Sequence, residues 1–166
     1  ALAEAAFMTG LEKNAGVIKL ASYAPLFNRI GHSQWKPDMI WFDDHEVYLT
    51  PNYYVQKLYA NHVGDHTLQL NGQDEALRKD GIYVTASETK EGKLILKAVN
   101  TTEDAFLLPV EGADGQPLTG AAKTWVLETA GEKPADKPEP SKVAECALEL
   151  NGSIRLAPKS FTVLEV

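Results

Sequence analysis

A chain of 166 residues is long enough for one domain or one and a half, and its 44% apolar content is that of a globular protein. The net charge of −7 leaves no basic face and argues against nucleic acid as a partner. No window approaches the about 20 consecutive apolar residues that span a bilayer, so no membrane partner is expected. Cys146 is the only cysteine, which rules out an internal disulfide and a thiolate zinc site; beside Ala147 and Leu148 it reads as a small apolar filler in a strand rather than a reactive thiol. The chain opens at Ala1, without a methionine and inside a helical pattern, and reads as a piece of a longer protein.

Residues 2–13 have helical spacing, with Ala3, Phe7 and Leu11 on one stripe, Ala6 and Gly10 beside it and Glu4, Glu12 and Lys13 elsewhere; the small residues would let the helix lie close against a sheet or another helix, and 14–16 supply a stop. Residues 17–27 are largely apolar, which fits a strand covered on both faces or a buried helix, and periodicity does not decide between them. Polar residues 28–36 follow as a surface loop. Thr50-Pro51 then gives a helix start, with the threonine as N-cap and proline at the first helical position, and Tyr54, Val55, Leu58 and Tyr59 recur at helical spacing behind it. The helix is expected over 51–63, closed by Gly64.

Beyond Gly64 the period changes to two. Apolar alternation marks strands at 66–70, 81–86, 93–100, 105–110, 123–128, 145–150, 153–156 and 160–166, separated by Gly, Asn, Asp and Pro clusters. That pattern predicts an antiparallel sandwich. The Lys- and Pro-rich residues 131–142 read as a long exposed loop within it.

The chemistry concentrates in residues 34–59, which hold two of the three tryptophans and four of the six tyrosines. Sugar rings stack their C–H faces on Trp or Tyr while Gln, Asp and His bind the hydroxyls, and Gln34, Trp35, Asp38, Trp41 and His45 supply that mixture. Trp41, Phe42, Tyr54 and Tyr59 read as core rather than as sugar contacts, whereas Trp35, preceded by polar residues 31–34, fits either. Asp43-Asp44-His45-Glu46 has neither calcium-loop nor zinc spacing and reads as a solvated acidic turn, so no metal and no cofactor is expected. A glycosidase needs two carboxyls about 5 to 10 Å apart, one of them in apolar surroundings, and no acidic residue here has such neighbours. There is no nucleophile elbow and no phosphate loop. Sequons at Asn100 and Asn151 fit ordinary strand ends.

Four ordered motifs in the first 60 residues carry a resemblance. They are Leu2-Ala3-Glu4-Ala5-Ala6-Phe7-Met8-Thr9-Gly10-Leu11-Glu12-Lys13-Asn14, Ala21-Ser22-Tyr23-Ala24-Pro25-Leu26-Phe27, Gln34-Trp35-Lys36-Pro37-Asp38-Met39-Ile40-Trp41-Phe42-Asp43 and Thr50-Pro51-Asn52-Tyr53-Tyr54-Val55-Gln56-Lys57-Leu58. Together they resemble the carboxyl-terminal part of α-L-arabinofuranosidases of glycoside hydrolase family 51. The resemblance implies a jelly-roll-like antiparallel β-sandwich over 64–166, preceded over 1–63 by the last helix-strand-helix portion of a (β/α)8 barrel. In it, 17–27 would be the eighth strand, 28–49 its active-face loop and 51–63 the eighth helix. Gln34, Trp35 and Asp38 would then face the sugar, because barrel active sites lie at the C-terminal ends of the strands.

The family is retaining, and both of its catalytic Glu residues would lie upstream of Ala1. Glu4 and Glu12 match neither, so no catalytic residue is expected in this chain. The implied partners are an arabinose-containing oligo- or polysaccharide, the rest of the barrel and, as in relatives, further copies of the protein. A plant-polymer substrate points to export, while a lone cysteine fits either side of a membrane. Two other readings stand beside this one, a non-catalytic sugar-binding module and a purely structural sandwich that buttresses a barrel.

Overall fold

Two strands of this chain, Leu94–Asn100 and Ser160–Glu165, are buried along nearly their whole length, and a strand buried without alternation has to be covered on both faces. The computed structural model, which describes residues 1–35, 38–72, 74–128 and 141–166, shows how. In chain order the elements are α1 (Leu2–Lys13), β1 (Phe27–Arg29), β2 (Ile40–Phe42), β3 (Val47–Leu49), α2 (Pro51–Asn61), β4 (His66–Leu68), α3 (Asp74–Lys79), β5 (Ile82–Glu88), β6 (Leu94–Asn100), β7 (Phe106–Pro109), β8 (Thr119–Glu128), β9 (Val143–Asn151), β10 (Ser153–Leu156) and β11 (Ser160–Glu165). Six strands form one antiparallel sheet in the order β4-β5-β6-β11-β8-β9, with β6 and β11 at its centre, and β7 pairs with β10 in a second, two-stranded sheet.

The period-two pattern assigns each sheet face to its cover. Ile82, Val84, Leu96, Ala98, Ala122, Leu150 and Leu164 point towards β7 and β10, where Leu108, Ile154 and Leu156 close an aliphatic core. The opposite face carries Ile95, Val99, Leu127, Phe161 and Val163, and it is covered by Ala5 of α1 and by Val55, Leu58 and Tyr59 of α2. Tyr59 stacks on Phe161 with ring centroids 5.1 Å apart and donates its hydroxyl hydrogen to the Ala5 carbonyl at 2.8 Å. The sandwich is therefore a β-sheet pair with a helical layer on its outer side, and the expected mostly antiparallel β architecture is present.

The strand readings hold closely. The 153–156 expectation coincides with β10, β8 and β9 extend further than their alternation indicated, and β4 stops at Leu68. Residues 129–140, most of the predicted Lys-Pro loop, lie outside the described residues. The six-residue α3, too short to show helical periodicity, went unpredicted; its Asp74-Glu75 start and Arg78-Lys79 end were the available signal.

α1 buries Ala5 and Thr9 and leaves Phe7 66% exposed. Three expectations are corrected. Residues 17–26 form neither a buried strand nor a helix; they are irregular, with Val17 and Leu20 exposed because no layer of this chain covers those two, and only 27–29 pair as a strand. The Thr50 hydroxyl does not cap α2 but donates to the Met39 carbonyl at 2.8 Å, although Pro51 opens the helix as read. Cys146 lies in β9 but is exposed, since β9 is an edge strand whose middle projects beyond the cover of β7 and β10. Asn100 is fully buried, donating to Asp104 and Ala157 carbonyls and accepting from the Thr102 amide and hydroxyl, so every one of its side-chain hydrogen-bonding positions is used.

Candidate functional site

Residues 28–49, read from the sequence as a loop, contain a three-stranded sheet that gives the aromatic stretch its rigidity. β1 runs parallel to β2, and β2 returns antiparallel into β3. The Ile40 amide donates to the Leu26 carbonyl at 2.8 Å and the Ile30 amide to Phe42 at 2.9 Å. The β2–β3 hairpin is closed by Asp43, whose Oδ1 accepts the backbone amides of His45 and Glu46 at 2.9 Å each. Short acidic side chains form such turns readily, and this one is the solvated acidic turn that the sequence suggested. Arg29 on β1 reaches Asp44 at 2.7 Å and ties the first strand to that hairpin. Opposite charges 15 positions apart have no local spacing, and the sequence reading missed this pair.

From this frame the chain leaves β1 through Gly31, whose φ of +82° only glycine adopts without strain. It then presents Gln34 and Trp35 outward. Trp35 is 65% exposed, and its carbonyl accepts the Ser33 hydroxyl at 2.8 Å, which fixes the backbone on the N-terminal side of the indole. Lys36 and Pro37 lie outside the described residues. Asp38 is different. It is 5% exposed, its carbonyl accepts the Trp41 indole N–H at 2.9 Å, and burial pushes its carboxyl above the usual carboxylate range. Of the three residues read as sugar-facing, Gln34 and Trp35 are thus exposed and Asp38 is buried. Trp41 and Tyr59 are buried and Phe42 and Tyr54 partly so, which gives these four to the core.

Exposed indole next to an exposed amide can stack on a sugar face and hydrogen-bond its hydroxyls, but it cannot cleave a glycosidic bond. The carboxylates that might do so are engaged elsewhere. Glu4 accepts from the Asn52 and Gln56 amides, Glu12 is paired with Lys97, and Glu46 accepts from the Tyr48 hydroxyl. Among the described residues, no three His, Cys, Asp or Glu side chains converge to hold a metal ion. A groove of about 270 Å³ opens between α1, α2 and residues 21–23, walled by Phe7, Met8, Leu11 and Tyr23. It continues the exposed apolar surface formed by Val17 and Leu20.

Comparison with known proteins gives these features a context. The model of the family described as the α-L-arabinofuranosidase C-terminal domain matches residues 1–164. α-L-Arabinofuranosidase 1 of Arabidopsis thaliana is 34% identical over 99% of this chain, which spans 26% of that protein. α-L-Arabinofuranosidase A of Aspergillus niger is 42% identical over 79% of the chain and 22% of the relative. An extracellular exo-α-L-arabinofuranosidase of Streptomyces chartreusis is 55% identical over 67 residues, 40% of this chain and 8% of its own. Among solved structures, an arabinose-bound α-L-arabinofuranosidase of family GH51 superposes with a TM-score of 0.81 at 26% identity, over 99% of this chain and 26% of that one. The chain thus spans about a quarter or less of the length of these relatives. It belongs to the α-L-arabinofuranosidase C-terminal domain family, in the glycoside hydrolase family 51 enzymes.

Proposed function

We propose that this chain is the C-terminal portion of a retaining glycosidase that removes terminal non-reducing α-L-arabinofuranosyl groups from arabinan- or arabinoxylan-type saccharides. Residues 1–63 complete a catalytic barrel and 64–166 form the sandwich that supports it. Trp35 stacks on the arabinose, Gln34 hydrogen-bonds its hydroxyls, and Asp38 shapes the sugar side from below. Both catalytic carboxylates come from sequence upstream of Ala1, so the 166 residues alone are inactive.

The observation that carries this reading is the outward Gln34-Trp35 pair on a loop braced by β1–β3, in a chain matched to the family along almost its whole length. Exposed Phe7, Val17 and Leu20 supply an apolar surface of the kind that marks a protein–protein contact, and the rest of the barrel is its occupant.

The test is release of nitrophenol from nitrophenyl arabinofuranoside by the 166-residue chain and by a version extended upstream through a full barrel. Activity confined to the extended version is expected. Turnover by the short chain that a single Glu or Asp substitution abolishes would overturn the assignment of catalysis, and silence from both would favour a binding or structural module. In the extended version Trp35→Ala should raise KM about tenfold, the equivalent of a stacking contact of about 1 to 1.5 kcal/mol. An unchanged KM would remove Trp35 from the site.

A further inference from the structure

The orientation of α1 is not settled by its apolar residues alone. At 100° per residue, Thr9 and Glu12 lie within about 40° of Ala5, whereas Ala3, Phe7 and Leu11 sit about 160° to 240° away on the other side. The inward side also packs Leu2, Ala6 and Met8 against the core beneath it, so the helix has two apolar sides, and burial of apolar surface, being non-directional, does not choose sharply between them. Yet α1 turns Ala5 and Thr9 inward and leaves Phe7 exposed.

Lys97 supplies the missing directional contact. It sits on the central strand β6, in register with Thr85 of β5 and Val163 of β11, and it is completely buried beneath the helices. Its ammonium pairs with Glu12 of α1 and lies 5.1 Å from the ring centre of Tyr59 on α2, whose hydroxyl in turn holds the Ala5 carbonyl. A buried cation without its carboxylate carries a large desolvation cost, so any rotation of α1 that turned Phe7 inward would strand Lys97. Around this pair, the same face presents Thr85 from β5 and Glu165 from β11, with His62 at the C-cap of α2 bonded to Glu165 at 2.7 Å.

We propose that Lys97 selects the face of α1: by holding Glu12 inward it keeps the Ala3-Phe7-Leu11 stripe on the outside, presented to the part of the protein that packs there. The pair fixes orientation more than stability, in the way that buried polar contacts can favour one packing over a competing apolar one. That the stripe then meets a catalytic barrel rests on the function proposed above; the orientation of the helix does not.

Thiol labelling of the 166-residue chain reads the orientation directly, without any activity. In a Cys146→Ser background, Ala3→Cys should label fast and Thr9→Cys slowly. Replacing both charges, Glu12→Gln with Lys97→Met, leaves a neutral polar side chain on the inward side and should slow labelling of Ala3→Cys and speed that of Thr9→Cys at least tenfold each, with a cooperative urea transition retained. The exchanged pair Glu12→Lys with Lys97→Glu should restore the original pattern. Unchanged rates in the uncharged double variant would overturn the proposal. So would loss of its cooperative transition with fast labelling at both sites, since the pair would then be a stability element.

Discussion

Replacing Gly64 by alanine should destabilise the chain through a contact that sequence reading assigns to helix termination alone. A Cβ built on Gly64 would lie 2.5 Å from the Ser87 Cβ, 2.7 Å from its hydroxyl and 2.8 Å from the Glu88 backbone nitrogen. The first two atoms belong to a buried side chain and the third to β5, so none can swing away. Just after Gly64, the Asp65 amide donates to the Glu88 carbonyl at 2.8 Å, and His66 enters β4 in register with Glu88. Relief of the clash would have to come from displacing β4 or bending β5. Overpacking of this sort costs about 1 to 3 kcal/mol. For a chain of this size that lowers Tm by about 2 to 12 °C, at about 2 to 4 °C per kcal/mol. Circular dichroism on heating and in urea measures it, and the Gly64→Ala, Ser87→Gly double variant is the internal control. Removing the Ser87 side chain should recover part of the loss but not the share due to the Glu88 nitrogen. A Gly64→Ala midpoint within about 1 °C of the parent would refute the close approach of these two segments.

Glu12→Gln should destabilise the fold by about 3 to 5 kcal/mol near neutral pH, because it leaves the Lys97 charge buried and unpaired. Burial already lowers the Lys97 pKa against the opposing pull of Glu12. The folded state of the variant therefore binds fewer protons than the unfolded state as pH rises towards the ordinary lysine range, and urea midpoints should climb with pH over that interval. Burial alone would raise the Glu165 pKa, but hydrogen bonds from His62 and Lys93 outweigh it and leave the carboxyl below its ordinary value. Its contribution is thus present above the usual carboxylate range and lost as pH falls through the lowered pKa, so Glu165→Gln should flatten the acid limb of a stability-against-pH curve. Exposed Cys146 should react with one equivalent of a thiol reagent in the native chain; reaction only after denaturant would return it to the interior.

The sandwich was legible because its signal is local. Alternation over four to eight residues, begun at or just after Gly81, Gly92 and Gly152 in three of the four runs, locates β5, β6, β10 and β11 to within a residue or two. Pro51 fixed the start of α2 for the same reason. What the sequence hid depends on partners far along the chain. Glu12 and Lys97 are 85 positions apart, and neither residue taken alone says that it is buried. Which side of α1 goes inward was not legible either, because periodicity finds an apolar stripe but not the buried partner that Glu12 meets in Lys97. Residues 17–26 have the composition of a covered strand, but cover is a property of neighbours, and this chain supplies none for Leu20. In the candidate site the residue types were readable and their depth was not: Gln34, Trp35 and Asp38 lie within five positions, and only a long-range frame sends the first two outward and the last inward.

The two faces of the six-stranded sheet differ in a way that matches what each must do. The face closed by β7 and β10 is mainly aliphatic, with Asn100 held by its four hydrogen bonds at one end. The helix-covered face adds an aromatic stack, a buried lysine and the His62–Glu165 contact, interactions with preferred directions. Directional contacts are needed where the covering element has two apolar sides and only one belongs inward. Phe7 and Leu11 make α1 such an element. An aliphatic sheet face alone would accept either side of the helix, Leu2 and Met8 or Phe7 and Leu11, with little to tell them apart. The charge on β6 thus settles the orientation, and the exposed stripe on α1 is the form in which that choice is visible.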